Sequence, residues 1–142
     1  MIGRQVLETR EAFTLQSLYE FMNKYWDKEK YGNFTMGRPT PASIEEYILL
    51  PATQRFLVIV YARKAGGLFS KKDKVILSVA DAPGGIAESL LTSVPTSNIL
   101  FGATKIGVIK NREDERKGPA EEMLQKYTAV MKQLLSEHSL LA

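Results

Sequence analysis

The stretch Arg55–Ala80, RFLVIVYARKAGGLFSKKDKVILSVA, decides the fold. Its two apolar parts, Phe56–Ala62 and Val75–Ala80, are rich in the β-branched and aromatic residues that favour strands. The loop between them carries positive charges that must stay in water, whereas the strands must be buried. The sequence therefore predicts a β-hairpin whose strands lie in the core and whose loop is the most basic part of the surface.

The charge of this stretch differs from that of the whole chain. Six basic residues and one acid, Asp73, give it a local charge of +5, while the net charge of the protein is only +3. Lys and Arg at such a loop can contact phosphates of nucleic acid or an anionic membrane surface, and Phe69 can stack on a base. The residues predicted to bind an acidic or phosphate-bearing partner are Arg63, Lys64, Phe69, Lys71, Lys72 and Lys74. The alternative is that these lysines only protect a sheet edge from aggregation.

Further strands are predicted on either side of the hairpin. Ser43–Leu50 can be extended, and Pro51–Gln54 has the length of a hairpin loop, so three consecutive antiparallel strands are the simplest arrangement. Gln5–Thr9 and Asn33–Thr35 are candidates for short additional strands. Because Phe56–Ala62 is apolar on both faces, we expect it at the centre of the sheet, with cover on both sides from other elements or from a second copy of the chain.

Two helices are predicted with clear boundaries. Apolar residues recur at three- and four-residue steps over 14–26, and Thr14 is a suitable N-cap. The second helix is expected over 119–136, because Pro119 suits a first turn and an apolar stripe follows it. The polar run Asp27–Lys30 is predicted to end the first helix.

The part of the chain between the hairpin and the last helix is less clearly patterned. A short helix is expected near 84–93, with Asp81 as its cap, and Ile99–Ile109 is interpreted as a strand although its glycines also weaken that assignment. The predicted fold class is α+β, with an antiparallel β-sheet of about four to five strands packed by an N-terminal helix and a long C-terminal helix.

Composition indicates one domain over residues 1–142. With 142 residues and 44% hydrophobic content, the chain is large enough to bury one core. It has no cysteine, which excludes disulfides and cysteine-ligated metal sites. The amino terminus lacks the apolar core of a signal peptide, and no run approaches the roughly 18 apolar residues of a membrane span. We therefore expect a cytoplasmic protein with no integral membrane association.

Catalytic signatures are weak. The one histidine, His138, lies near the carboxyl end, so a Ser–His–Asp triad is not expected. The adjacent Glu45 and Glu46 would point to opposite faces of a strand and would not form an acid–base pair. The segment Ala82–Gly85 lacks the further residues of a phosphate loop. No catalytic residue, cofactor or metal site is predicted, and a non-enzymatic protein is favoured over an enzyme that uses carboxylates.

Two functions are consistent with these features. The favoured one is a binding or interaction module that contacts an anionic partner through its basic hairpin tip, with a homo-oligomer as a candidate assembly. The alternative is a domain that binds a small apolar ligand in a cavity between the C-terminal helix and the sheet. The aromatic residues that would line such a cavity, although aromatics at helical spacing are more often core, are Tyr19, Tyr25, Trp26, Tyr31 and Phe34.

Overall fold

A five-stranded antiparallel sheet is the main element of the computed structural model, which describes residues 3–39, 44–53, 55–65, 72–81 and 116–142. The strands are β1 (Arg4–Thr9), β2 (Thr35–Gly37), β3 (Tyr47–Pro51), β4 (Phe56–Arg63) and β5 (Asp73–Asp81). Their order across the sheet is β1-β5-β4-β3-β2, so the doubly apolar strand β4 lies at the centre, as predicted. The α+β class and the antiparallel sheet are confirmed.

Both helices with clear sequence boundaries are present. They are α1 (Leu15–Tyr25) and α3 (Glu121–Glu137), and a single π-helical turn, Arg116–Ala120, leads into α3. Thr14 caps α1 as expected: its hydroxyl accepts from the Ser17 N–H at 3.0 Å, and the Ser17 hydroxyl accepts from the Thr14 N–H at 2.8 Å. These two bonds satisfy main-chain donors that the first helical turn leaves unpaired.

Local structure differs from the predictions at three places, one of which is the short strand predicted at Asn33–Thr35, since β2 covers Thr35–Gly37. After α1 the chain forms one more helical turn, α2 (Lys28–Tyr31), because the Asp27 carboxylate accepts from the Lys30 N–H at 3.1 Å and caps it. Strand β3 begins at Tyr47 and includes Pro51, whereas the sequence suggested a strand from Ser43 followed by a loop at Pro51. The predicted helix near 84–93 and the predicted strand Ile99–Ile109 lie outside the described residues.

The main core lies between one face of the sheet and the helices. Alternate residues of the central strands point toward α1 and α3, as the two-residue period of a strand requires. The buried residues of this core include Leu18, Met22, Ile48, Leu50, Val58, Val60, Val75, Leu77, Leu124, Tyr127, Met131 and Leu135. Trp26 also belongs to it, although its buried indole N–H has no hydrogen-bond acceptor.

The opposite face of the sheet, called here the second face, carries a smaller apolar cluster. Leu49, Leu57 and Ile59 are buried there, and Tyr47, Tyr61 and Ala80 are half-buried against them. Because Leu57 and Val58 are both fully buried, the two faces of β4 are covered within one chain. Neither face of β4 therefore needs a second copy of the chain to cover it, and self-association stays a prediction.

The C-terminal residues reach the free edge of β1. The Ala142 N–H donates to the Glu8 carbonyl at 3.0 Å, and the Arg10 N–H donates to the Leu140 carbonyl at 2.8 Å. These bonds hold Glu8 at the edge of the sheet.

None of the helices in the described ranges is both long enough and apolar enough to cross a membrane.

Candidate functional site

Charged side chains form a row across one end of the second face. Strand register places Arg63 of β4 directly opposite Lys74 of β5, and Lys74 directly opposite Glu8 of β1. Side chains at directly opposed positions have Cβ atoms roughly 4.5–5.5 Å apart, so their charges interact. Lys64 follows β4 and Lys72 precedes β5, at the same end of the sheet. We call Arg63, Lys64, Lys72 and Lys74 the basic end.

Two acids that are distant in the sequence pair with this basic end. Arg63 Nη2 lies 3.1 Å from Glu45 Oε2, and Lys72 Nζ lies 3.1 Å from Glu8 Oε2. The side chains of both pairs keep about half of their surface in solvent, from 49% for Arg63 to 61% for Lys72. The folded protein thus offsets part of the local positive charge that is counted along the sequence.

Among the cations of this row, Lys74 has the least compensation of its charge by a carboxylate. It has the Arg63 guanidinium side chain on one flank and Glu8 on the other, but Glu8 forms its ion pair with Lys72. Within the described ranges Lys74 itself forms no ion pair. Like charges directly opposite each other across a strand pair are destabilising, so Arg63 and Lys74 together favour the approach of an anion.

An aromatic row lies next to the charged row on the same face. Tyr61 is opposite Ile76, which is opposite Val6 of β1, and Tyr47 is opposite Gly37 of β2. The rings of Tyr47 and Tyr61 have centroids 5.1 Å apart. The Arg63 guanidinium lies over the Tyr61 ring, with Cζ 4.6 Å from the ring centroid, which joins the two rows by a cation–π contact.

Tyr47 is close to Glu45, the acid that pairs with Arg63 of the charged row. Partial burial, followed by the charge of the Glu45 carboxylate and the hydrogen bond between the two side chains, raises the pKa of Tyr47. Glu45 thus lies near the Tyr47 hydroxyl and forms its ion pair with Arg63. On its other side Tyr47 faces Gly37, which has no side chain to cover the ring.

Four of the six predicted partner-binding residues lie within the described part of the chain. It places Arg63 and Lys74 side by side and puts Lys64 and Lys72 at the same end of the sheet. Phe69 and Lys71 lie outside the described residues. The sequence interpretation did not identify Tyr47 and Tyr61 as neighbours of the basic residues. Each tyrosine lies in an apolar strand, and only the register of β3 and β4 shows that the two rings are adjacent on the second face.

The cavity between the C-terminal helix and the sheet stays a prediction, and two of the aromatic residues named for it line a different cavity. Trp26 and Phe34 are buried in the core, whereas Tyr25 and Tyr31 line a cavity of about 160 Å³ between the α1–α2 region and α3. This cavity lies between helices, not between α3 and the sheet. Its volume is well below the roughly 300–1,000 Å³ of typical small-molecule sites.

Groups suited to catalysis or metal binding are not assembled in the described part of the chain. His138 stacks on Tyr25, with ring centroids 3.8 Å apart, and Glu45 is held by Arg63. No set of three His, Cys, Asp or Glu side chains within the described ranges is arranged to hold a metal ion.

A search of family models, of curated proteins and of solved structures gives no match to this chain.

Proposed function

We propose that this protein is a non-enzymatic cytoplasmic binding module that holds an anionic, phosphate-bearing partner at its basic end. The observation that carries the proposal is the position of Arg63 directly opposite Lys74. Two cations at opposed positions repel each other, and an anion between them would turn that repulsion into attraction. Lys64, which is exposed, adds a third cation at the same end of the sheet.

The two ion pairs at the basic end do not oppose this function. Both pairs are about half exposed to solvent. Exposed ion pairs contribute only about 0–1 kcal/mol to stability, so Arg63 and Lys72 can exchange their carboxylate partners for phosphate oxygens at little cost. Arg also binds phosphate in a bidentate manner, which a partner with several phosphates would use.

Inorganic polyphosphate is a suitable probe, because it carries phosphate charge without any other recognisable group. We expect the wild-type protein to bind it at low salt, and the double variant Lys72→Glu/Lys74→Glu to bind it at least tenfold more weakly. The matched control is Lys24→Glu/Lys132→Glu, which makes the same change in net charge at exposed positions of α1 and α3. We expect the control to keep most of the affinity, since α1 and α3 pack on the face of the sheet opposite to that of Arg63 and Lys74.

The charge reversals place a new acid near Glu8, so folding is checked by urea denaturation. A milder pair, Lys72→Gln/Lys74→Gln, removes the cations without adding acids and is expected to weaken binding in the same direction. Absence of polyphosphate binding by the wild-type protein would overturn the proposal. Equal losses in the basic-end variant and in the matched control would also overturn it, because binding would then follow net charge alone.

The alternative function, binding of a small apolar ligand, has less support. It requires a cavity of ligand size, whereas the cavity beside α3 has a volume of about 160 Å³ and is lined partly by Asp27, Lys30 and Glu137. Charged groups at its wall do not suit an apolar ligand.

A further inference from the structure

We propose that the anionic partner is single-stranded nucleic acid, with a base stacked on Tyr47 and the adjoining phosphate held by Arg63 and Lys74. This inference rests on the proposed function and names its ligand class. It uses a feature that a simple phosphate site does not need: two tyrosine rings, 5.1 Å apart, in the row next to the cations. Alternating aromatic and basic contacts are the usual means by which proteins bind single strands.

The spacing of the two rows suits a nucleotide. Tyr61 and Arg63 lie on the same face of β4 and are two residues apart in the strand. A strand rises about 3.3 Å per residue, so the aromatic and charged rows are separated by roughly 7 Å. A base on the aromatic row can therefore have its phosphate on the charged row.

Tyr47 is the ring best placed to receive a base. The Arg63 guanidinium covers the Tyr61 ring, with Cζ 4.6 Å from its centroid, whereas the neighbour of Tyr47 on β2 is Gly37. Among the described residues, a Cβ atom built at Gly37 would meet only Leu49 Cδ1, at 3.9 Å, so no described side chain crowds the β2 flank of Tyr47. Tyr47 is half-buried against the second-face cluster, which holds the ring in place before binding.

An anionic membrane fits the same surface less well. Ile44, at 92% exposure, is the most exposed large apolar residue of the described part of the chain. It is followed directly by Glu45 and Glu46, whose carboxylates would face anionic lipid headgroups. Duplex nucleic acid is also a poor ligand for this surface, because both faces of each base pair are already stacked on neighbouring pairs and cannot stack on Tyr47.

The test compares a labelled oligothymidylate with an abasic strand that has the same number of phosphates. A length of about 12 nucleotides lies within the usual site sizes of proteins that bind single strands. Fluorescence anisotropy gives the affinity of each strand for the wild-type protein. We expect the oligothymidylate to bind roughly 5- to 150-fold more tightly than the abasic strand, which is the contribution of one stacked base. Tyr47→Leu should abolish this preference, and Tyr47→Phe should retain it.

The abasic strand also serves as a control for folding, since Tyr47→Leu should bind it as the wild-type protein does. Equal affinity of the wild-type protein for the oligothymidylate and the abasic strand would overturn the inference, while leaving the proposed function intact. Tighter binding to a duplex of the same length, or binding to phosphatidylserine vesicles without binding to the strands, would also overturn it. Failure to bind any of the strands, vesicles or polyphosphate would overturn both proposals.

Discussion

Tyr127 of α3 donates a hydrogen bond from its buried hydroxyl to the main-chain carbonyl of Pro51, at the end of β3, over a distance of 2.6 Å. Pro51 lies opposite Leu57 in the sheet, so this single bond connects the long C-terminal helix to the central strands. Tyr127 is fully buried and its ring packs beside Trp26, with centroids 5.7 Å apart. The helix is thus fixed over the sheet by a polar contact inside the apolar core.

Replacing Tyr127 with Phe tests the strength of this connection. The ring is kept, but the Pro51 carbonyl loses its donor in a buried place, which costs about 1–3 kcal/mol of unfolding free energy. Urea denaturation measures the loss. Tyr19→Phe is the control: Tyr19 is half-buried, its hydroxyl forms no hydrogen bond within the described residues, and we expect a change below about 0.5 kcal/mol. Equal effects of the two substitutions would contradict the assigned role.

Alkaline pH should destabilise the protein through the same residue. Burial raises the pKa of Tyr127 far above its ordinary value of about 10. Below pH 10 the hydroxyl is protonated in both states and stability does not depend on it. Above pH 10 the unfolded chain releases the proton and the folded chain keeps it, so unfolding free energy falls by up to about 1.4 kcal/mol per pH unit. Tyr127→Phe should show a shallower decline between pH 10 and 11; an unchanged slope would contradict this account.

The cap of α1 gives a local test of helix stability. Thr14 and Ser17 exchange side-chain bonds with each other's main-chain N–H groups. Thr14→Ala should reduce unfolding free energy by about 0.5–2 kcal/mol, whereas Thr14→Ser keeps the hydroxyl and should cost less than half as much. Thermal unfolding followed by circular dichroism compares the two variants. A loss in Thr14→Ser that equals the loss in Thr14→Ala would show that the cap bond is not responsible.

Gly37 is predicted to tolerate a methyl group. The added Cβ atom would lie in ordinary contact with Leu49 Cδ1, at 3.9 Å, and the backbone needs no positive φ there. Gly37→Ala should leave stability unchanged or raise it by up to about 1 kcal/mol, because the unfolded chain loses conformational freedom. Urea denaturation checks this result. A loss of unfolding free energy above about 1 kcal/mol would mean that another group occupies the space next to Gly37.

Much of the sheet and both long helices follow from local sequence. The apolar runs of β4 and β5 predict strands by composition, and the absence of a polar face on β4 predicts its central position. Thr14 marks the start of α1 because its hydroxyl can cap only the residues that follow it directly. The helix predicted over 119–136 corresponds closely to α3, since its apolar stripe has helical spacing throughout.

The candidate site was less accessible to sequence reasoning. Glu8 and Glu45 reduce the positive charge of a segment from which they are distant in the chain, and only tertiary pairing brings them there. The contact between Tyr47 and Tyr61 depends on the register of β3 and β4, and a shift by one residue would send one ring to the other face. The single turn α2 depends on one cap bond from Asp27, too short a signal for periodicity to detect.

The salt dependence of polyphosphate binding tests the central claim most directly. The affinity of the wild-type protein is measured between about 50 and 200 mM salt, beside Lys72→Glu/Lys74→Glu and the control Lys24→Glu/Lys132→Glu. We predict that log affinity falls linearly with log salt for the wild-type protein and the control. The slope of the basic-end variant should be shallower by about two, one for each lost phosphate contact. Binding that does not respond to salt, or three equal slopes, would contradict the assignment of the basic end as the site where an anion binds.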